Sequence, residues 1–241
     1  MSDRQPLAGQ TVLVIGGSSG IGLETARQAR GEGASVTITA RDPDRLHRAG
    51  LEVGASTAAF DATDLERLAR FFAELPGPID HLLLSGSGPT YVPFAELDPE
   101  TARRDVETHL LLQLQVARNA AGRMRPGGTL IFIGGTGGRR PSVGPVFGAV
   151  SAAMVAMTRS LALELAPARV NLIAPGFVDT PLSASYLGDQ LDARREELRT
   201  TLPIGRVVSA ADVAALAIHL MTNTAVTGAT LDIDGGQQLL D

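Results

Sequence analysis

The chain contains no cysteine, no lysine and no tryptophan, and aromatic residues make up only 4% of it. Without cysteine there is no disulfide framework, no thiolate metal site and no thiol nucleophile, and redox chemistry says nothing about compartment. Without lysine, all 21 basic residues are arginine. The four histidines, His47, His81, His109 and His219, are widely separated and show no metal-ligand spacing. The first ten residues, MSDRQPLAGQ, lack the apolar core of a signal peptide, and no run is read as approaching membrane-span length, so a cytoplasmic protein is expected. A net charge of −5 and the lack of clustered basic residues argue against nucleic acid as a partner.

What is present is enough apolar material for a large core: 241 residues, 44% of them hydrophobic, with no visible repeat, linker or second domain. A single domain over residues 1–241 is expected. Residues 12 to 41 organise the rest. The apolar run from Val12 to Ile15 leads into Gly16-Gly17-Ser18-Ser19-Gly20-Ile21-Gly22, then a helical segment, then a second apolar run from Val36 to Thr39. A tight turn and close approach of backbone N–H groups to a diphosphate both exclude a Cβ, and a helix N-terminus adds the positive end of its dipole. The spacing is Gly-x-x-x-Gly-x-Gly. The strand before it and the helix and strand after it supply the context that nucleotide binding requires.

Further along, alternating apolar and helical segments predict strands at 58–60, 79–84, 129–133, 170–174 and 229–233. Helices are expected from about 20 to 30, from Asp42, over 64–74, as one long helix over 99–123, over 147–165 and over 212–221. Pro126-Gly127-Gly128 is read as the stop after the long helix, and 183–202 as a polar excursion from the sheet. This alternation implies an α/β fold with a parallel sheet covered on both faces.

With these elements in place the chain resembles the short-chain dehydrogenase/reductase family over essentially its whole length. The resemblance rests on the glycine turn, Asp61 in FDATD, the SGSG loop from Ser85 to Gly88, SLALELAPARVNLIAPGFVDTPL at 160–182 and VTGATLDIDGG at 226–236, with Asn171, Pro175, Gly176 and Thr180 in the family's order. It implies a Rossmann-type doubly wound sheet of strand order 3-2-1-4-5-6-7, with the ligand at the carboxyl ends of the strands. It also implies that Gly16, Ser18, Ser19, Gly20, Ile21 and Gly22 hold the diphosphate and that Asp61 and Ala62 lie at the adenine. Ser85, Gly86, Pro175, Gly176, Val178 and Thr180 complete the dinucleotide site. Arg41, directly after the second strand, stands where an arginine accommodates the 2′-phosphate, so NADP(H) is expected over NAD(H).

The resemblance breaks at the proton chemistry. In the family a tyrosine gives or takes the substrate proton, and a lysine four residues later lowers its pKa and holds the nicotinamide ribose. A serine binds the carbonyl, and an asparagine on the long helix supports a water relay. Those positions fall on Phe147, Ser151, Gly135 and His109 here. Phenylalanine has no proton to transfer. His109 is the candidate substitute, since histidine titrates near neutrality; a packed helix histidine is the equal alternative. Thr136, Ser142 and Ser151 are further hydroxyl candidates, and Tyr91 and Tyr186 read as partly buried loop aromatics, with lining a pocket as the alternative. Two functions are therefore carried forward: an NADP(H)-dependent oxidoreductase with at most weak or non-standard carbonyl or alcohol hydride transfer, and a non-catalytic NADP(H)-binding sensor or assembly protein. Helices 99–123 and 148–165 are apolar on more than one face, which together with the resemblance implies a homodimer or homotetramer.

Overall fold

A computed structural model of the chain describes residues 5–86, 88, 90, 92–139 and 144–240. Seven parallel strands form one sheet: β1 (Thr11–Ile15), β2 (Ser35–Ala40), β3 (Ser56–Ala59), β4 (Ile79–Leu84), β5 (Met124–Ile133), β6 (Arg169–Pro175) and β7 (Thr230–Ile233). Their order, β3-β2-β1-β4-β5-β6-β7, is the expected one. The central strands read as near-continuous apolar runs because helices cover both faces. One face packs on α1 (Gly20–Gly31), α2 (Pro43–Val53) and α9 (Ala210–Thr222), the other on α3 (Leu65–Glu74), α5 (Leu112–Ala121) and α6 (Pro145–Glu164).

Several boundaries differ from the sequence reading. The third strand is Ser56–Ala59, earlier than 58–60. The long helix is three pieces: α4 (Pro99–Val106), a π-turn over Glu107–Leu111, and α5. β5 begins at Met124, so Pro126-Gly127-Gly128 lies inside an irregular strand and is no simple stop. Gly128 is there because a Cβ would stand 2.2 Å from the Asp80 carbonyl oxygen of the neighbouring strand. The excursion at 183–202 is largely helical, as α7 (Pro181–Leu187) and α8 (Leu191–Thr201). Asp179, in a two-residue strand Val178–Asp179 that pairs with Val208–Ser209 in a separate small sheet, holds α8 through a two-pronged ion pair with Arg195, at 2.8 and 2.9 Å.

The expectation that no run approaches membrane-span length is also corrected: α6 is 20 residues long and apolar enough, by length and composition, to cross a membrane. Of those residues only Val150, Ser151, Met154 and Thr158 are buried.

One buried cation ties the carboxyl-terminal third of the chain together. The Arg169 guanidinium donates to the carbonyls of Gly127, Leu220, Met221, Asn223 and Val226. Burial lowers its pKa.

Candidate functional site

The glycine turn is fixed from two sides. Gly16 and Gly17 donate their backbone N–H groups to the Thr39 carbonyl at 2.9 and 3.0 Å, which joins the turn to the end of β2. At Gly16, with φ +85°, a Cβ would lie 1.9 Å from the Ser85 carbonyl oxygen; at Gly22 it would lie 2.1 Å from the Gly16 oxygen. Only glycine lets β1, the loop after β4 and α1 come this close. Ser18 is buried, Ile21 packs on the core, and Thr180 stands 3.5 Å from where a Cβ on Gly20 would be.

The opening of α1 differs from that of α2, α3, α4 and α9. Each of those has an Asp or Ser side chain capping its first turn and an acidic residue within it. Helix α1 has Ser19 as N-cap with no side-chain capping bond and no acid in its first turn. Its leading N–H groups and dipole end are left for an anion. A dinucleotide diphosphate fits these residues.

Around this turn the expected cofactor positions gather at the carboxyl ends of the strands. Ser85 donates its N–H to the Ile15 carbonyl at 2.9 Å, and a Cβ on Gly86 would meet open space. Asp61 is exposed and caps its own turn by accepting from Thr63 N–H and Oγ1 at 2.9 and 2.8 Å, with half-buried Ala62 beside it. Arg41 is exposed and makes no ion pair among the described residues. The neighbouring Asp42 carboxylate is engaged as the cap of α2, accepting from Arg45 N–H, which lowers its pKa. Pro175 ends β6. Gly176 is pressed against Asp234 and Gln237, and Gln237 Oε1 accepts the Phe177 N–H at 2.8 Å. The Val178 side chain is buried in the core, so only its backbone faces any ligand.

The four positions of the proton chemistry are also brought together. His109 lies on the π-turn, and its ring meets that of Phe147, in the first turn of α6, edge to face at 6.5 Å. The Phe147 ring tip is 3.3 Å from where a Cβ on Gly135 would be, and the Pro175 carbonyl is 3.7 Å from the same point. Ser151, one turn further along α6, is 4% exposed and its Oγ has no hydrogen-bond partner. It lines a cavity of about 260 Å³ with Gly135, Gly138, Arg139, Ala174 and Thr230, whose Oγ1 is likewise unpartnered. At its edge Arg139 is paired with Asp232. Thr136 is buried in the short turn leading to Arg139. Ser142 and Tyr91 lie outside the described residues.

Asp105 enlarges the site beyond the sequence reading, and Tyr186 is brought close to it. Asp105 is 6% exposed and accepts from the Thr90 N–H at 3.3 Å and the Thr90 hydroxyl at 2.9 Å. Tyr186, expected as a partly buried loop aromatic, belongs to helix α7 and is 46% exposed; its hydroxyl stands 2.6 Å from where a Cβ on Gly88 would sit. Burial, reinforced by the Asp105 carboxylate, raises the Tyr186 pKa and keeps it a neutral phenol. Burial lowers the His109 pKa, against the opposing pull of Asp105 and of the Gly88 backbone. The spacing of Asp105 and His109, four residues apart and therefore on one helix face, was the available signal for Asp105.

Comparison with known proteins places the fold in a family. The family model described as enoyl-(acyl carrier protein) reductase matches residues 15–238. The short-chain dehydrogenase/reductase ATR9 of Stachybotrys chlorohalonatus is 30% identical, over 95% of this chain and 97% of its own. A putative ketoacyl reductase of Streptomyces coelicolor is 33% identical, over 94% and 96%. Among solved structures, BdcA in complex with NADPH superposes with a TM-score of 0.85 at 28% identity, covering 95% of each chain.

Proposed function

The chain belongs to the short-chain dehydrogenase/reductase family, an oxidoreductase family that binds nicotinamide dinucleotides, and from that membership we propose an NADP(H)-binding oxidoreductase whose catalysis bypasses the Tyr-x-x-x-Lys pair. It carries out at most weak or non-standard carbonyl or alcohol hydride transfer. The observation that carries this reading is the Phe147 ring lying over Gly135, a hydrocarbon surface where carbonyl reduction needs an O–H donor.

In this reading Gly16, Ser18, Ser19, Gly20, Ile21 and Gly22 hold the diphosphate, Asp61 and Ala62 the adenine, and Arg41 the 2′-phosphate. Ser85, Gly86, Pro175, Gly176, Val178 and Thr180 frame the nicotinamide half. The free Arg41 and the NADPH bound to BdcA support NADP(H) over NAD(H). When bound, the reduced dinucleotide supplies the electron pair for reduction. The chain itself supplies orientation and exclusion of water, with the titratable His109 ring edge to face with that of Phe147.

The second reading, a non-catalytic sensor or assembly protein, draws on the outer face of α6, where Leu163 is 82% exposed, and on exposed Leu111 and Leu114. We propose that helices 99–123 and 148–165 build a homodimer or homotetramer in either case.

Titration with NADPH and NADH, followed by NADPH-oxidation assays on a ketone panel, tests the proposal. The Phe147→Tyr, Ser151→Lys double variant is expected to reduce ketones about two to four powers of ten faster than the wild type. Brisk wild-type ketone turnover overturns the bypass, and activity confined to the double variant favours the non-catalytic reading.

A further inference from the structure

Resting on the oxidoreductase reading, we propose that the cluster of Asp105, His109, Phe147 and Tyr186 takes a substrate with a positively charged nitrogen, an iminium whose C=N bond is the acceptor, in preference to a neutral ketone. The observation behind this is Asp105. It is the one buried residue of α4, and among the described residues its carboxylate oxygens accept hydrogen bonds only from the N–H and O–H of Thr90. Among the described residues no arginine pairs with it, and the chain has no lysine that could. A buried carboxylate with neutral partners alone is costly, and a cationic ligand offsets that cost.

The walls suit the same ligand. The rings of Phe147 and His109 stand edge to face, and the Tyr186 hydroxyl reaches the Gly88 backbone, to which the His109 ring also bonds. Burial lowers the His109 pKa, so the cluster combines aromatic rings with a single carboxylate, that of Asp105. This is the chemistry that recognises a desolvated cation.

The reaction also removes the puzzle of the missing acid. A ketone gains its proton during reduction. An iminium already carries the equivalent charge. Reduction forms a C–H bond at its carbon, and the C=N π pair moves onto nitrogen to leave a neutral tertiary amine. The positive charge passes to the oxidised nicotinamide, the co-reactant, so the equation balances with no proton from the protein. Phe147 and Ser151 then cost nothing in proton transfer.

Calorimetric binding of 2-methyl-3,4-dihydroisoquinolinium, a permanently charged iminium, is compared with binding of 1-tetralone, its neutral carbonyl counterpart, on the protein alone and with NADP⁺. The iminium is expected to bind at least about tenfold more tightly in the wild type. Asp105→Asn, which keeps the shape and removes the charge, should bring the two ligands within about twofold. Equal affinities in the wild type, or a preference that survives Asp105→Asn, overturn the proposal. Should Asp105→Asn not fold, Phe147→Leu decides: loss of about three- to tenfold in iminium affinity, with tetralone unchanged, supports it, and an unchanged iminium affinity overturns it. Absence of NADPH binding would defeat the dinucleotide reading alone, because the comparison on the protein without dinucleotide still decides the cation preference.

Discussion

The Gly16 Cα and the Ser85 carbonyl are so close that no side chain fits between them: a Cβ on Gly16 would stand 1.9 Å from that oxygen. This contact joins the first and fourth strands at the carboxyl edge of the sheet, where the ligand is expected.

Gly16→Ala should therefore lose dinucleotide binding and cost about 3 kcal/mol or more, from the clash together with a φ of +85°. Gly31→Ala, at the end of the same helix with open space around it, should be neutral or stabilise by up to about 1 kcal/mol. Urea unfolding and NADPH titration of both variants check this. A stable, fully binding Gly16→Ala protein would refute the account of the turn.

Arg41→Ala is expected to weaken NADPH binding by about tenfold while leaving NADH unchanged, because only the 2′-phosphate distinguishes the two ligands. Asp42 already caps α2, so its removal should cost helix stability rather than improve phosphate binding. Dissociation constants for both dinucleotides decide; parallel losses for NADPH and NADH would reassign Arg41 to a general role.

Stability should fall in mild acid because of His81. Its ring is buried on β4, bonds Gln10 Oε1 at 2.5 Å and leaves Nδ1 without a partner, and burial depresses its pKa from 6.5 to about 4. The unfolded chain takes up the proton first. The contribution is thus fully present above pH 6.5 and is lost as pH falls toward about 4, a change of about 3 kcal/mol. Urea midpoints across this window should drop steeply for the wild type and flatten for His81→Leu.

Leu163→Arg should shift the protein toward smaller species in sedimentation velocity with little change in monomer fold, since that side chain is 82% exposed on α6. An unchanged sedimentation profile would move the interface elsewhere.

The strand sequence was legible because buried parallel strands write themselves as apolar runs, and the glycine turn because its backbone geometry admits few residues. The π-turn was not. Val106, Leu110 and Leu114 satisfy helical spacing whether or not the backbone widens between them, so a side-chain pattern cannot report it. Gly128 looked like a stop because glycine serves both termination and close approach, and only the Asp80 carbonyl beside it tells which. The positions of Phe147, Ser151, Gly135 and His109 could be read by resemblance. Asp105 was hidden, because a lone carboxylate on a helix acquires meaning only when Thr90 comes against it, and Tyr186 could be named from the sequence but not placed beside Gly88.

The Arg169 hub carries a consequence for the order in which the chain becomes itself. Its carbonyl partners at Leu220, Asn223 and Val226 lie 51, 54 and 57 residues downstream. As the polypeptide leaves the ribosome, the sixth strand emerges with a cation that has the Gly127 carbonyl behind it, while its other carbonyl partners arrive only when nearly the last helix has followed. A chain interrupted before residue 220 therefore cannot close its sheet without stranding that charge, and half-made copies are marked as incomplete by their own interior.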